Sequence, residues 1–178
     1  MKKFWIGTGI AALLGVGIFG YLSTQQKVTS KPEEAVDEVI ETPAANLTGT
    51  TVGEKLGLKG TLAANYYLFD ADNFQKIKDS DTPYYLNFYA NWCPTCAAQA
   101  KIDLELFNSQ PDNPVVALRV NTLDTDTDAD EEDLAAELGV RFQHTLIFFN
   151  AAGEETGRLL GTSSTEQIQA ELNKAAGI

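Results

Sequence analysis

Two side chains in this chain of 178 residues are equipped for redox chemistry together. Cys93 and Cys96 are its only cysteines, and they stand in the run Trp92-Cys93-Pro94-Thr95-Cys96. Thiols at this spacing can exchange with a disulfide: one thiolate attacks, and the second resolves the mixed disulfide that forms. That chemistry needs one thiol to ionise easily and the other to stay close. The flanking sequence predicts both. Residues 84–89 are bulky, largely aromatic and uncharged, the signature of a buried strand. An alanine-rich helical pattern follows the cysteines, and Pro94 suits its first position, where no backbone N–H is missed. Cys93 then becomes the N-cap, with its sulfur against the free N–H groups of the first turn. A thiolate there gains from those donors and from the helix dipole, so its pKa should fall. Cys96 lies one turn further in, on the same side and within disulfide reach.

Other uses of the pair are weaker. A structural zinc site normally takes four Cys or His ligands, and this chain has two cysteines and the single His144. A disulfide staple closing so short a loop removes little unfolded-chain entropy. Cys-x-x-Cys beside a βαβ pattern is the specific form of the redox signal. The net charge of −12 leaves no electrostatic footprint for nucleic acid, while 44% hydrophobic residues suffice for a core.

The chain opens with Lys2 and Lys3 and then an uncharged run over residues 4–22. At about 1.5 Å per residue the run reaches roughly 28 Å, close to the hydrocarbon thickness of a bilayer. Trp5 and Tyr21 sit near its ends, where interfacial aromatics belong. No Ala-x-Ala cleavage pattern follows, and no cysteine is there to carry a lipid. Residues 1–22 are therefore expected to be an uncleaved, single-pass signal anchor in the cell membrane. The lysines would stay cytoplasmic and the remainder would lie outside the cytoplasm. Residues 23–62 read as an acidic, proline-containing tether and an extra arm, with a hairpin or an ordered segment both open for 47–62. A glycosylation sequon at Asn46 matters only in a eukaryotic secretory route.

From residue 63 to 178 the pattern is regular. Tyr66, Tyr67 and Leu68 begin a strand, and Asp70 or Asp72 can cap a helix over Phe74 and Ile77. The strand and helix of the cysteine motif follow, then a strand at 115–120, a helix through Leu134 and Leu138 stopped by Gly139, and two strands at 145–149 and 155–160. Ser163 to Glu166 reads as a capping box for a last helix burying Ile168 and Leu172. The order β-α-β-α-β-α-β-β-α predicts an α/β fold, a mixed sheet with helices on both faces. The acidic series Asp126, Asp128, Asp130 and Glu137 has the skeleton of a calcium loop but carries Glu131 where glycine is needed. A solvated loop favouring the next helix's N-terminus is the simpler account.

The motif Tyr89-Ala90-Asn91-Trp92-Cys93-Pro94-Thr95-Cys96, the strand at 116–121 and the segment from Gly139 to Phe149 resemble the thioredoxin family over residues 63–178. The finer likeness, in Phe88-Tyr89-Ala90-Asn91-Trp92-Cys93 and Thr145-Leu146-Ile147-Phe148-Phe149, is to the C-terminal thioredoxin-like domain of bacterial envelope disulfide reductases. The resemblance implies a thiol–disulfide oxidoreductase in which Cys93, exposed, attacks, Cys96 resolves, and Trp92 shields the pair and shapes the docking surface. Pro94 and Thr95 would tune thiolate stability, and Thr145 would join the segment facing the cysteines. Two positions depart from the family. Asn87 stands where many members carry a buried aspartate under the inner cysteine, and an amide cannot take the proton of Cys96. His144 stands where the family carries a cis-proline, and a histidine held cis costs about 2.5–4 kcal/mol. A trans bond or a remodelled loop is therefore expected there.

These observations imply an anchored oxidoreductase, more reductive than oxidising, working without a cofactor as a monomer. Its partners would be protein disulfides and a membrane redox partner. An alternative is a copper or iron–sulfur protein that uses Cys93, Cys96 and His144 as ligands. A third is a non-catalytic adaptor that keeps the fold.

Overall fold

The computed structural model describes residues 50–178. The expected anchor, most of the tether and the Asn46 sequon lie outside the described residues. Among the described residues no helix is long and apolar enough to cross a membrane.

One mixed sheet organises the chain. Its strands are β1 (Thr61–Ala63), β2 (Tyr66–Leu68), β3 (Tyr84–Tyr89), β4 (Val116–Asn121), β5 (Thr145–Phe149) and β6 (Glu155–Leu160), in the spatial order β1-β2-β4-β3-β5-β6. β4 runs parallel to β2 and β3, whereas β1–β2, β3–β5 and β5–β6 are antiparallel. β3 and β5 are buried almost throughout, which explains their lack of charge. The helices are α1 (Val52–Lys55), α2 (Ala71–Asp79), α3 (Pro94–Ser109), α4 (Ala129–Glu137) and α5 (Thr165–Ala176). From β2 onward this is the α/β order that the sequence pattern predicts.

Strand alternation splits the core in two. Tyr84, Leu86 and Phe88 point to one face, where Ile77 of α2 and Leu134 of α4 cover them. Tyr85 points to the other, beneath Leu106 and Phe107 of α3 and Ile168 and Leu172 of α5. Asn87 shares the Tyr85 side, so the strand's one amide is delivered under the cysteine helix.

Of residues 51–62, an arm by sequence, 51–58 are docked on the first face, while Thr61 and Leu62 enter β1 and Leu62 packs on the second. Thr51 and Glu54 close a capping box on α1, and Leu58 joins the core with Val52 and Leu56 against it. A Cβ on Gly53 would lie 2.3 Å from the Tyr67 ring, so only glycine lets α1 approach that closely. The last capping box falls one residue later than expected, on Ser164 with Gln167. Ser163 is unavailable because its own N–H is spent in the core, on Gln99 Oε1 at 2.9 Å.

Candidate active site

α3 begins where the buried strand β3 delivers it. Cys93 is the N-cap with extended backbone, Pro94 is the first helical residue, and the Cys96 N–H donates to Cys93 Sγ at 3.2 Å. The Thr95 hydroxyl lies 3.1 Å from the same sulfur. Both thiols are free. Burial pushes the Cys93 pKa up, but hydrogen bonds from Cys96 Sγ, the Thr95 hydroxyl and the amides of Cys96 and Thr95 outweigh it and leave the pKa lowered. For Cys96, burial and the hydrogen bond to Cys93 act in the same direction and push the thiol up to about 12. One turn of helix thus separates a ready nucleophile from a thiol that keeps its proton until needed.

The expected exposure of Cys93 needs correction. Only 5% of it is accessible, against 2% of Cys96. Ala90 and Tyr89 pack around the pair. Cys93 lies shallow under a thin cover and Cys96 deeper, so electrostatics more than open surface distinguishes them. Trp92 is 58% exposed beside them, and its indole N–H donates to the Leu123 carbonyl at 2.8 Å. Asn91 ties the same two loops together: its N–H donates to Asp124 and its amide to Asp126. Asp128 caps α4 with Glu131 completing the box. Of the acidic series, Asp126 and Asp128 are thus engaged in loop and cap hydrogen bonds.

His144 is buried, in the left-handed region at φ 63°. Its N–H donates to Phe88 O at 2.6 Å, and its carbonyl accepts from the Gly161 N–H at 3.0 Å. Proline is locked near φ −65°, so this loop is built for a residue other than proline. The imidazole Nε2 faces Gln99 Oε1 at 3.4 Å. Because that oxygen also takes the Ser163 N–H, Nε2 is assigned as the donor. Burial lowers the His144 pKa and favours the neutral ring. The expected ligand set of Cys93, Cys96 and His144 is not formed: among the described residues no three His, Cys, Asp or Glu side chains are grouped to hold a metal. The physical reason is that the imidazole is committed to Gln99. Thr145 is turned inward, its hydroxyl donating to the Phe142 carbonyl at 2.8 Å.

Comparison with known proteins agrees with this geometry. The family described as thioredoxin-like domain matches residues 71–176. The chain belongs to the thioredoxin-like family. It is 30% identical to a thioredoxin of Alicyclobacillus acidocaldarius over 109 residues, 61% of this chain and 95% of that one. It is 27% identical to a thioredoxin of Porphyra purpurea over 105 residues, 59% of this chain and 91% of that one. In fold it is similar to Trxlp of Edwardsiella tarda, with a TM-score of 0.52 at 24% identity over 60% of this chain and 97% of that one. With this fold and this cysteine pair, the chain is a thioredoxin-like thiol–disulfide oxidoreductase.

The thioredoxin-like site also has a floor that sequence reasoning missed. Asp103 is wholly buried on α3, and its Oδ2 accepts from Asn87 Nδ2 at 2.7 Å and from the Tyr85 hydroxyl at 3.1 Å. Its Oδ1 accepts from Gln99 Nε2 at 3.1 Å. Asn87 also donates to the Tyr66 hydroxyl at 3.2 Å. Burial raises the Asp103 pKa to about 6 against the pull of these three donors. A signal existed: Cys96, Gln99 and Asp103 fall at i, i+3 and i+7, on the stripe of α3 that also buries Leu106 and Phe107.

The two thiol pKa values carry a kinetic expectation. Below pH 8 the thiolate fractions of Cys93 and Cys96 differ by at least about 10³. The more basic thiolate is intrinsically more nucleophilic and recovers roughly 20- to 30-fold of that. Alkylation of the reduced protein should therefore label Cys93 at least ~30-fold faster, read by mass spectrometry of quenched samples. Equal labelling rates would remove the assignment of Cys93 as the attacking thiol.

Proposed function

We propose that this chain is a membrane-anchored disulfide reductase. Its thioredoxin-like domain lies outside the cytoplasm and passes electrons from a membrane redox partner to protein disulfides. The reaction balances as a two-electron transfer. The Cys93 thiolate attacks a substrate sulfur and releases the other as thiolate, leaving a mixed disulfide. Cys96 then loses its proton and attacks Cys93 Sγ, releasing the second substrate thiolate and forming Cys93–Cys96.

The observation that carries the reductive direction is what surrounds Cys93 Sγ. It receives hydrogen bonds from Thr95 and Cys96, and no cationic side chain contributes to lowering its pKa. Strongly oxidising dithiols owe their potential to a heavily stabilised reduced form, and this site has only modest means of stabilising one. A macromolecular substrate is supported by the shape of the surface. A cleft of about 310 Å³ lined by Phe74, Tyr84, Leu134 and Phe149 lies at the opposite end of β3 and holds neither cysteine. Trp92, Pro94 and Thr95 are exposed around the shallowly buried Cys93, and Thr145 braces its own loop from within through the Phe142 carbonyl. The anchor rests on the apolar run at residues 4–22 and on Lys2 and Lys3 before it.

Full-length protein in bacterial membranes tests the reading in two measurements. Equilibration of Cys93/Cys96 against a dithiol buffer should place the potential near about −270 mV, and a value near −120 mV would reverse the direction of flow. Protease added from outside should cut beyond Lys27 while the protein keeps its uncleaved mass and stays in the membrane fraction. Release as a shortened soluble species would remove the anchor.

A further inference from the structure

Gln99 sits between two demands. Ionised, Asp103 can only accept, so it holds the amide nitrogen of Gln99 at 3.1 Å. The Ser163 N–H can only donate, so it holds the amide oxygen at 2.9 Å. The same oxygen then meets His144 Nε2 and requires that nitrogen to carry the proton. Gln99 is one turn beyond Cys96 on the same face of α3, and both are buried. A buried carboxylate thus determines, through one amide, the tautomer and place of the His144 ring.

We propose that Asp103 is a positioning residue of the exchange site, fixing the His144 ring, through Gln99, one turn beyond Cys96 on α3. The proposal rests on the exchange reading given above and adds to it the residue that orders the resolving side. Its effect should fall on the second step, in which Cys96 must find Cys93 Sγ in a mixed disulfide. The first step belongs to Cys93, whose sulfur is held by Thr95 and Cys96 and not by this chain of hydrogen bonds.

Three variants of the full-length protein separate this from a merely structural role. Asp103→Leu removes the acceptor, and Gln99→Met breaks the link while leaving Asp103 its partners Tyr85 and Asn87. Asp103→Asn keeps one oxygen for Gln99 and serves as the rescue. In ¹⁵N spectra the His144 ring of the wild type should show the Nε2–H tautomer alone. Asp103→Leu and Gln99→Met should show a mixture, and Asp103→Asn the wild-type pattern. The lifetime of the mixed disulfide on Cys93, followed by mass spectrometry with a model peptide disulfide, should lengthen about fivefold to tenfold in the first two variants. Cys93 alkylation should stay within about twofold of wild type in all three. Should Asp103→Leu fail to fold, Gln99→Met alone decides. An unchanged tautomer and an unchanged lifetime in Gln99→Met would overturn the proposal. Absence of exchange in the wild type would instead overturn the reductase reading, and the tautomer measurement would still stand as the test of positioning.

Discussion

Replacing Cys93 with serine is expected to abolish disulfide exchange, while replacing Cys96 with serine should stop turnover only after the first step. The two outcomes differ because the two thiols do different work. Cys93 caps α3 and is the thiol whose pKa is lowered. A serine hydroxyl there is not ionised at neutral pH, so the loss should be roughly a thousand-fold or more. In Cys96→Ser the nucleophile survives, although it loses the sulfur partner that helps hold its charge. Mixed disulfides should then accumulate on Cys93, because the group that would release them is gone. Insulin reduction with a dithiol donor gives the turnover, and non-reducing gels with mass spectrometry show the trapped species. Measurable turnover in Cys93→Ser, or mixed disulfides carried on Cys96, would exchange the two assignments. Serine is close in volume to cysteine, so neither change should leave a cavity large enough to disturb β3 or α3.

The part of the site that was legible in the sequence is the part written in local pattern. Pro94 at a helix start, an uncharged aromatic strand before it and two lone cysteines together placed the N-cap, and α3 begins there. The strand–helix order from Tyr66 onward followed from periodicity, because β3 and β5 are buried on both sides and α5 has a clear apolar face. What stayed hidden depends on contacts between distant segments. His144 looked like a ligand because it stands beside the cysteines in the family pattern. Its ring is instead taken by Gln99, a residue 45 positions earlier on another element. Asn87 looked like a lost acid, yet it donates to Asp103, an acid from α3 that the sequence reading left on a helix without a role. Cys93 looked exposed because N-caps usually are. Its cover comes from packing with Ala90 and Tyr89, which no spacing rule announces. The arm before residue 63 was ambiguous for a different reason. A four-residue helix has too few positions for periodicity to register, and its docking depends on one glycine passing under Tyr67.

The stability of the protein should fall by about 2 kcal/mol between pH 4 and pH 7 through Asp103 alone, and Asp103→Asn should lack that component. Burial raises this carboxyl from 3.8 to about 6 in the folded state, and Gln99, Tyr85 and Asn87 only partly offset it. Between those two values the folded protein holds a proton that the unfolded chain releases. Stability from this group is therefore fully present below about pH 4 and is lost as pH rises through about 6. Above that the contribution is flat. The groups facing Asp103 do not cancel the effect. Burial, helped by the Asp103 charge, keeps Tyr66 and Tyr85 protonated at any working pH, and His144, whose pKa burial lowers, is common to wild type and variant. Arg119 lies over the Tyr89 ring and acts on Tyr66. Glu131 is also raised by burial and titrates in the same direction, so the wild-type curve by itself cannot assign the change. The difference between wild type and Asp103→Asn can, since Glu131 is common to both. Urea unfolding at several pH values should show the variant less stable than wild type near pH 4, where a protonated Asp103 fits its pocket and the new amide must compete with the Asn87 donor. By pH 7 the variant should have recovered roughly 2 kcal/mol relative to wild type. A difference that stays constant from pH 4 to pH 7 would mean that Asp103 is ionised throughout, with its three donors fully compensating for the loss of water.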